Sequence, residues 1–149
     1  MTNTLDVSHE YQSALNDIRN IITQGRKAAY GAVNKAIVLT YWHIGQRIVE
    51  QEQAGNKRAD YGKGLIVALA DNLTKEFGKS YSKRNLDYYR KFYVLFPDLL
   101  IVNACVHNLT WTHFRSLLRV PDESARLWYM KEASEESWSS RTLDRNIGT

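Results

Sequence analysis

Arg84 and Asn85 stand side by side two residues after a serine, with Tyr88 and Lys91 following at steps of three and four. A guanidinium can bond guanine O6 and N7 together, and a carboxamide can do the same at adenine N6 and N7. Tyr88 can stack on a base or bond a phosphate. Lys79, Lys83 and Lys91 suit phosphate oxygens, which position a nucleic acid without reading its sequence. The chemistry on offer is therefore recognition of a polyanion.

The same phrase occurs twice. Ser80-Tyr81-Ser82-Lys83-Arg84-Asn85-Leu86-Asp87 returns as Ser137-Trp138-Ser139-Ser140-Arg141-Thr142-Leu143-Asp144. Each copy reads as a helix start. Ser82 and Ser139 are placed to accept a first-turn N–H as N-caps. Tyr81 with Leu86, and Trp138 with Leu143, have hydrophobic-staple spacing, which fixes the entry angle of the chain. Each start then presents an arginine, Arg84 or Arg141, and Arg145 follows one turn later. The candidate nucleic-acid-binding residues are thus Lys79, Ser82, Lys83, Arg84, Asn85, Tyr88, Lys91, Arg141 and Arg145. Two ordinary capped helices with solvated arginines would read the same way; the shared chemistry of the copies argues for a repeated unit.

Catalytic groupings are thin. His107 and His113 flank Trp111 without metal-ligand spacing, and one cysteine, Cys105, makes a zinc site a poor fit. His43 lies in an apolar stretch and reads as a hydrogen-bonded core residue. No phosphate-loop, dinucleotide or nucleophile-elbow motif is present, and no Asp followed by Glu-x-Lys. Gly62-Lys63-Gly64 reads as a helix cap before it reads as an anion site. No catalytic residue, metal or cofactor is assigned, and the chain is expected not to be an enzyme.

These side chains need helices to hold them. The chain has 149 residues, a hydrophobic fraction of 44%, two prolines and a formal net charge of +4. That supports a packed, helix-rich fold with mild affinity for polyanions. From Lys57 to Lys91 the basic residues (Lys57, Arg58, Lys63, Lys75, Lys79, Lys83, Arg84, Arg90, Lys91) outnumber Asp60, Asp71, Glu76 and Asp87, so the positive excess is local. The N-terminus lacks a signal-peptide pattern, no apolar run approaches a membrane span, and the lone cysteine fits a reducing compartment. A cytoplasmic location is expected.

Apolar residues at steps of three and four run from Tyr11 through Leu15, Ile18, Ile22, Ala29, Val33, Ile37, Tyr41 and Ile44 to Ile48. They predict a long helical segment or helical hairpin over 1–54: either one very long helix or two helices kinked or broken near Gly25 to Gly31. Its stripe suits a bundle core slightly better than a coiled-coil seam, because strict flanking charge pairs are missing. Residues 55–97 form a first helix-turn-helix-like unit. A helix over Gly62–Phe77 buries Ile66, Leu69, Leu73 and Phe77. Gly78 ends it, and a second helix over Ser82–Phe96 packs Leu86, Tyr89, Tyr93 and Phe96. Its turn is longer than in the compact motif. Residues 98–149 form a second such unit, close to charge-balanced and read as structural or as a weak second contact. Within it 98–109 is open between strand, hairpin and buried loop. Helices follow from Thr110 or Thr112, over Glu123–Glu135, and from the second repeat to the end. The expected architecture is an all-α multi-helix bundle of about seven helices, all in one compact domain.

Tyr41-Trp42-His43-Ile44-Gly45, Tyr61-Gly62-Lys63, Phe77-Gly78, Ser82-x-x-Asn85-Leu86, Leu109-Thr110-Trp111-Thr112-His113 and Trp138-Ser139-x-Arg141-x-Leu143 occur in this order. In these motifs, from about Tyr11 to Ile147, the chain resembles the N-terminal domain of the YhcG-like nuclease family. The resemblance implies a helical DNA-binding module that precedes a C-terminal PD-(D/E)XK nuclease domain in full-length relatives. On that resemblance, the nuclease domain is expected to lie outside these 149 residues. The partners it implies are DNA and the nuclease domain; a homodimer through the long helix is the alternative role, as a helical interaction or oligomerisation module.

Overall fold

The computed structural model describes residues 4–54 and 61–148. Seven α-helices and no strand occur among them: α1 (Thr4–Ala54), α2 (Tyr61–Phe77), α3 (Lys83–Leu95), α4 (Leu99–Cys105), α5 (Trp111–Leu117), α6 (Glu123–Glu135) and α7 (Ser140–Ile147). A single 3-10 turn, Lys79–Tyr81, joins α2 to α3. The fold is the expected all-α one. The polar connector after Ala54 lies outside the described residues. The chain divides into two compact units, Met1–Val33 and Asn34–Thr149.

α1 is unbroken at Gly25 and Gly31. Each glycine costs a helix interior roughly 1 kcal/mol, too little to stop one rich in alanine nearby. Within the first unit the apolar stripe is not a bundle core. Tyr11, Ile18, Ile22 and Val33 all lie half or more exposed, and no other element of this unit covers them.

The second unit packs around two clusters. In the larger, Val38 and Trp42 of α1 meet Phe92 of α3 and Phe96 just past its end, Phe114 and Leu117 of α5, and Leu143 of α7. In the smaller, Ile48 of α1 meets Ile66 and Ala70 of α2 and Leu86 and Tyr89 of α3. α1 and α3 touch backbone to backbone at Gly45, where a Cβ would sit 2.0 Å from the Tyr89 carbonyl oxygen. Beside that contact Tyr41 stacks on Tyr89 with ring centroids 4.0 Å apart. Trp42 Nε1 donates to the Phe96 carbonyl at 2.7 Å, answering a polar group that burial would otherwise leave unpaired. Gly78 takes φ 100°, the left-handed turn expected after α2.

Three expectations need correcting. Phe77 does not close the buried stripe of α2. It is exposed, one turn beyond the last covering contact, and meets Tyr81 edge to face. His43 is exposed on α1 and is not a core histidine. Residues 99–105 are a helix rather than a strand or loop, and 106–109 follow it as a turn: Asp98 caps α4 by accepting from Leu100 N, and Val102, Cys105 and Val106 are buried at helical steps.

Among the described residues one charge is interior. Arg126 of α6 is 4% exposed and answers backbone carbonyls rather than a carboxylate. Its guanidinium donates to Val120 O at 2.8 Å and to Leu95 O at 3.4 Å, and lies over the Phe96 ring. Its Nε has no partner.

Candidate nucleic-acid interface

Both copies of the repeat open helices as their spacing predicts. Ser82 Oγ accepts Asn85 N at 3.3 Å, and Ser139 Oγ accepts Thr142 N at 3.1 Å. Tyr81 packs with buried Leu86, and Trp138 packs on the cluster that holds Leu143. The residue that closes each copy is an aspartate that answers a cation. Asp87 pairs with Lys83 at 3.1 Å on its own helix, whereas Asp144 reaches across to Arg119.

The first two turns of α3 face outward. Lys83, Arg84 and Lys91 are exposed and Tyr88 is half-buried. Arg84 makes no ion pair with a described residue; its guanidinium donates to Tyr88 Oη at 3.4 Å. On the ring of the same tyrosine lies Arg115 of α5, with Cζ 4.6 Å from the centroid. These two guanidinium groups hold the Tyr88 phenol below its ordinary pKa, chiefly through hydrogen bonding to Arg84. With Arg115 over its ring, Tyr88 acts as a support that spaces two cations rather than as a bare stacking platform.

α5 links the two repeats. Arg115 of α5 and Arg119, two residues past its end, are both exposed. Arg115 meets α3 at Tyr88, and Arg119 meets α7 at Asp144. Neither was singled out from sequence. A signal existed: Phe114, Leu117 and Leu118 mark the buried face of α5, which turns both arginines outward. Their proximity to Tyr88, however, is a tertiary fact.

The remaining candidates lie apart from this group or serve other roles. Asn85 Nδ2 donates to Lys79 O at 3.2 Å, and the Ser82 hydroxyl is used as a cap. Lys79, Lys91, Arg141 and Arg145 are exposed and form no ion pair among the described residues. Arg90, by contrast, is bound through Nε to both oxygens of Glu52 at 2.7 and 2.9 Å.

Other reactive groups are committed to structure. His113 completes a capping box with Thr110, taking Thr110 N at 2.9 Å on Nδ1, while Nε2 lies 2.8 Å from Trp138 O. Nε2 must then carry the proton, and burial lowers the ring's pKa. A hollow of about 740 Å³ between α4 and α6 has Ile101, Leu127 and Met130 in its walls, with Cys105 among them. Burial pushes that thiol upward, away from thiolate chemistry. Among the described residues no three His, Cys, Asp or Glu side chains gather to hold a metal.

Comparison with known proteins gives a consistent picture. The profile of the DUF1016 N-terminal domain matches residues 17–149. The chain is 31% identical to an Escherichia coli K12 protein named "Putative nuclease YhcG", over 93% of this chain and 45% of that protein. It thus spans less than half the length of that relative. No solved structure matches. The chain belongs to the DUF1016 N-terminal domain family.

Proposed function

We propose that this member of the DUF1016 N-terminal domain family is a DNA-binding module that targets a nuclease domain and does not itself cut. The observation that carries the reading is the pair of unneutralised guanidinium groups, Arg84 and Arg115, held on Tyr88 at the surface. Cations without an internal counter-ion are free to release condensed ions from a phosphate backbone. Lys79, Lys91, Arg141 and Arg145 extend the contact. The name of the relative supports the link to nuclease chemistry.

A mobility-shift titration against duplex, single-stranded and branched DNA at two salt concentrations tests the proposal. Binding is expected to weaken with salt, and Arg84→Ala or Arg115→Ala should weaken it roughly 10-fold, the scale of one lost charge-assisted contact. Parent-like binding by both variants would remove this site. Chelator-sensitive cleavage by the chain alone would overturn the non-catalytic part.

The uncovered stripe of α1 favours a second role, self-association. Tyr11, Leu15, Ile18 and Ile22 recur at steps of four and three, the spacing by which helices pair.

A further inference from the structure

A hollow of about 280 Å³ between α3, α5 and α7 is lined by Tyr88, Thr112, Arg115, Ser116, Arg119 and Asp144. Three donors line it: Arg115, which lies over the Tyr88 ring, and the Ser116 hydroxyl and Arg119, which both reach Asp144. The anion now in this donor set is the Asp144 carboxylate. Its Oδ1 accepts from Ser116 Oγ at 3.1 Å and from the Arg119 guanidinium. A guanidinium and a hydroxyl are equally the donor set of a phosphate.

The arrangement is loosely held. The side chains of Arg119 and Asp144 are 57% and 54% exposed, so the pair lies in water, where such bridges contribute about 0–1 kcal/mol. A carboxylate on so weak a tether can give way to a better anion. Asp144 also has no partner on its own helix, unlike its counterpart Asp87, which pairs four residues back with Lys83.

We propose that this hollow is a seat for one backbone phosphodiester and that Asp144 fills it in the free protein as a carboxylate stand-in, leaving Arg119 when the phosphate arrives. The proposal rests on the DNA-binding reading above. Arg115 and Arg119 then take the phosphate from two sides, and the hydroxyls of Thr112 and Ser116 complete the contact. The released carboxylate turns to solvent.

The test is DNA binding by the full chain carrying Asp144→Asn, measured across a salt series. With the competing charge gone, affinity should rise about 3–5-fold at low salt, the range of an exposed ion pair. The slope of log K against log salt should steepen by about 0.9, one further phosphate neutralised without recapture of a cation by Asp144. Adding Arg119→Ala to Asp144→Asn should abolish the gain. Arg119→Ala in the parent sequence, which does not depend on the Asp144 variant folding, should weaken binding about 3–10-fold. Asp144→Asn binding no tighter than the parent, or a gain that survives loss of Arg119, overturns the stand-in. Parent-like binding by Arg119→Ala does the same. Inorganic phosphate, followed by thermal shift, should show no comparable saturation; saturation matching short duplex DNA would make the seat one for free phosphate and overturn the proposal. If the parent chain itself shows no salt-dependent DNA binding, the underlying DNA reading fails instead, a result distinguishable from every outcome at Asp144.

Discussion

Tyr88 owes its role to its neighbours. The Arg84 and Arg115 guanidinium groups favour its phenolate and hold its pKa below the ordinary 10.0. Loss of that proton would place a negative charge among cations proposed to meet phosphate. The sign follows: below the lowered pKa the phenol is neutral and binding is unaffected, and as pH rises through it affinity falls. In the parent this fall should begin below pH 10. In Tyr88→Phe that early step should be missing from a fluorescence-anisotropy pH profile. A parent and variant with superimposable profiles would contradict the assignment. At this scale the sequence was partly legible. Cap arithmetic placed Arg84 outward, since Ser82 sets the first turn and Leu86 its buried side. Arg115 escaped because its significance lies in a neighbour on another helix, which no local pattern encodes. Asn85, read from its type as an adenine contact, proved to have its amide on the Lys79 carbonyl.

Among the elements, the crossing of α1 and α3 is the most tightly specified. Gly45 is buried within a long helix, a place where glycine is otherwise a loss, and the Tyr89 backbone occupies the space where a Cβ would be. Gly45→Ala must push the two helices apart and loosen the Tyr41–Tyr89 stack. A destabilisation of roughly 1–3 kcal/mol is expected in chemical denaturation, the usual cost of overpacking. Gly64→Ala, where nothing lies within 4 Å, serves as the control and should not be destabilising. α3, with a buried face of Leu86, Tyr89 and Phe92 and a serine cap, was legible from periodicity. α4 was not: seven residues with one polar side chain, Asn103, carry too little phase, and the Asp98 cap and packing against α6 fix it as helical.

For the whole molecule, the open question of assembly falls on the first unit. An apolar helical stripe left to water invites a partner. If a second copy supplies it, light scattering should report a dimer that Ile22→Asp returns to monomer, with the helical signal of residues 34–149 retained. A monomer at every concentration tested would remove self-association. The two-unit division itself was not legible, because the periodicity of α1 runs through Val33 without a change of step while its burial does change. The interior charge described for α6 has a consequence for what holds it. Its partners are main-chain carbonyls, which carry no net charge, and no carboxylate is among the buried residues described. This internal clasp between α3 and α6 therefore depends on the course of the backbone and on no acidic side chain.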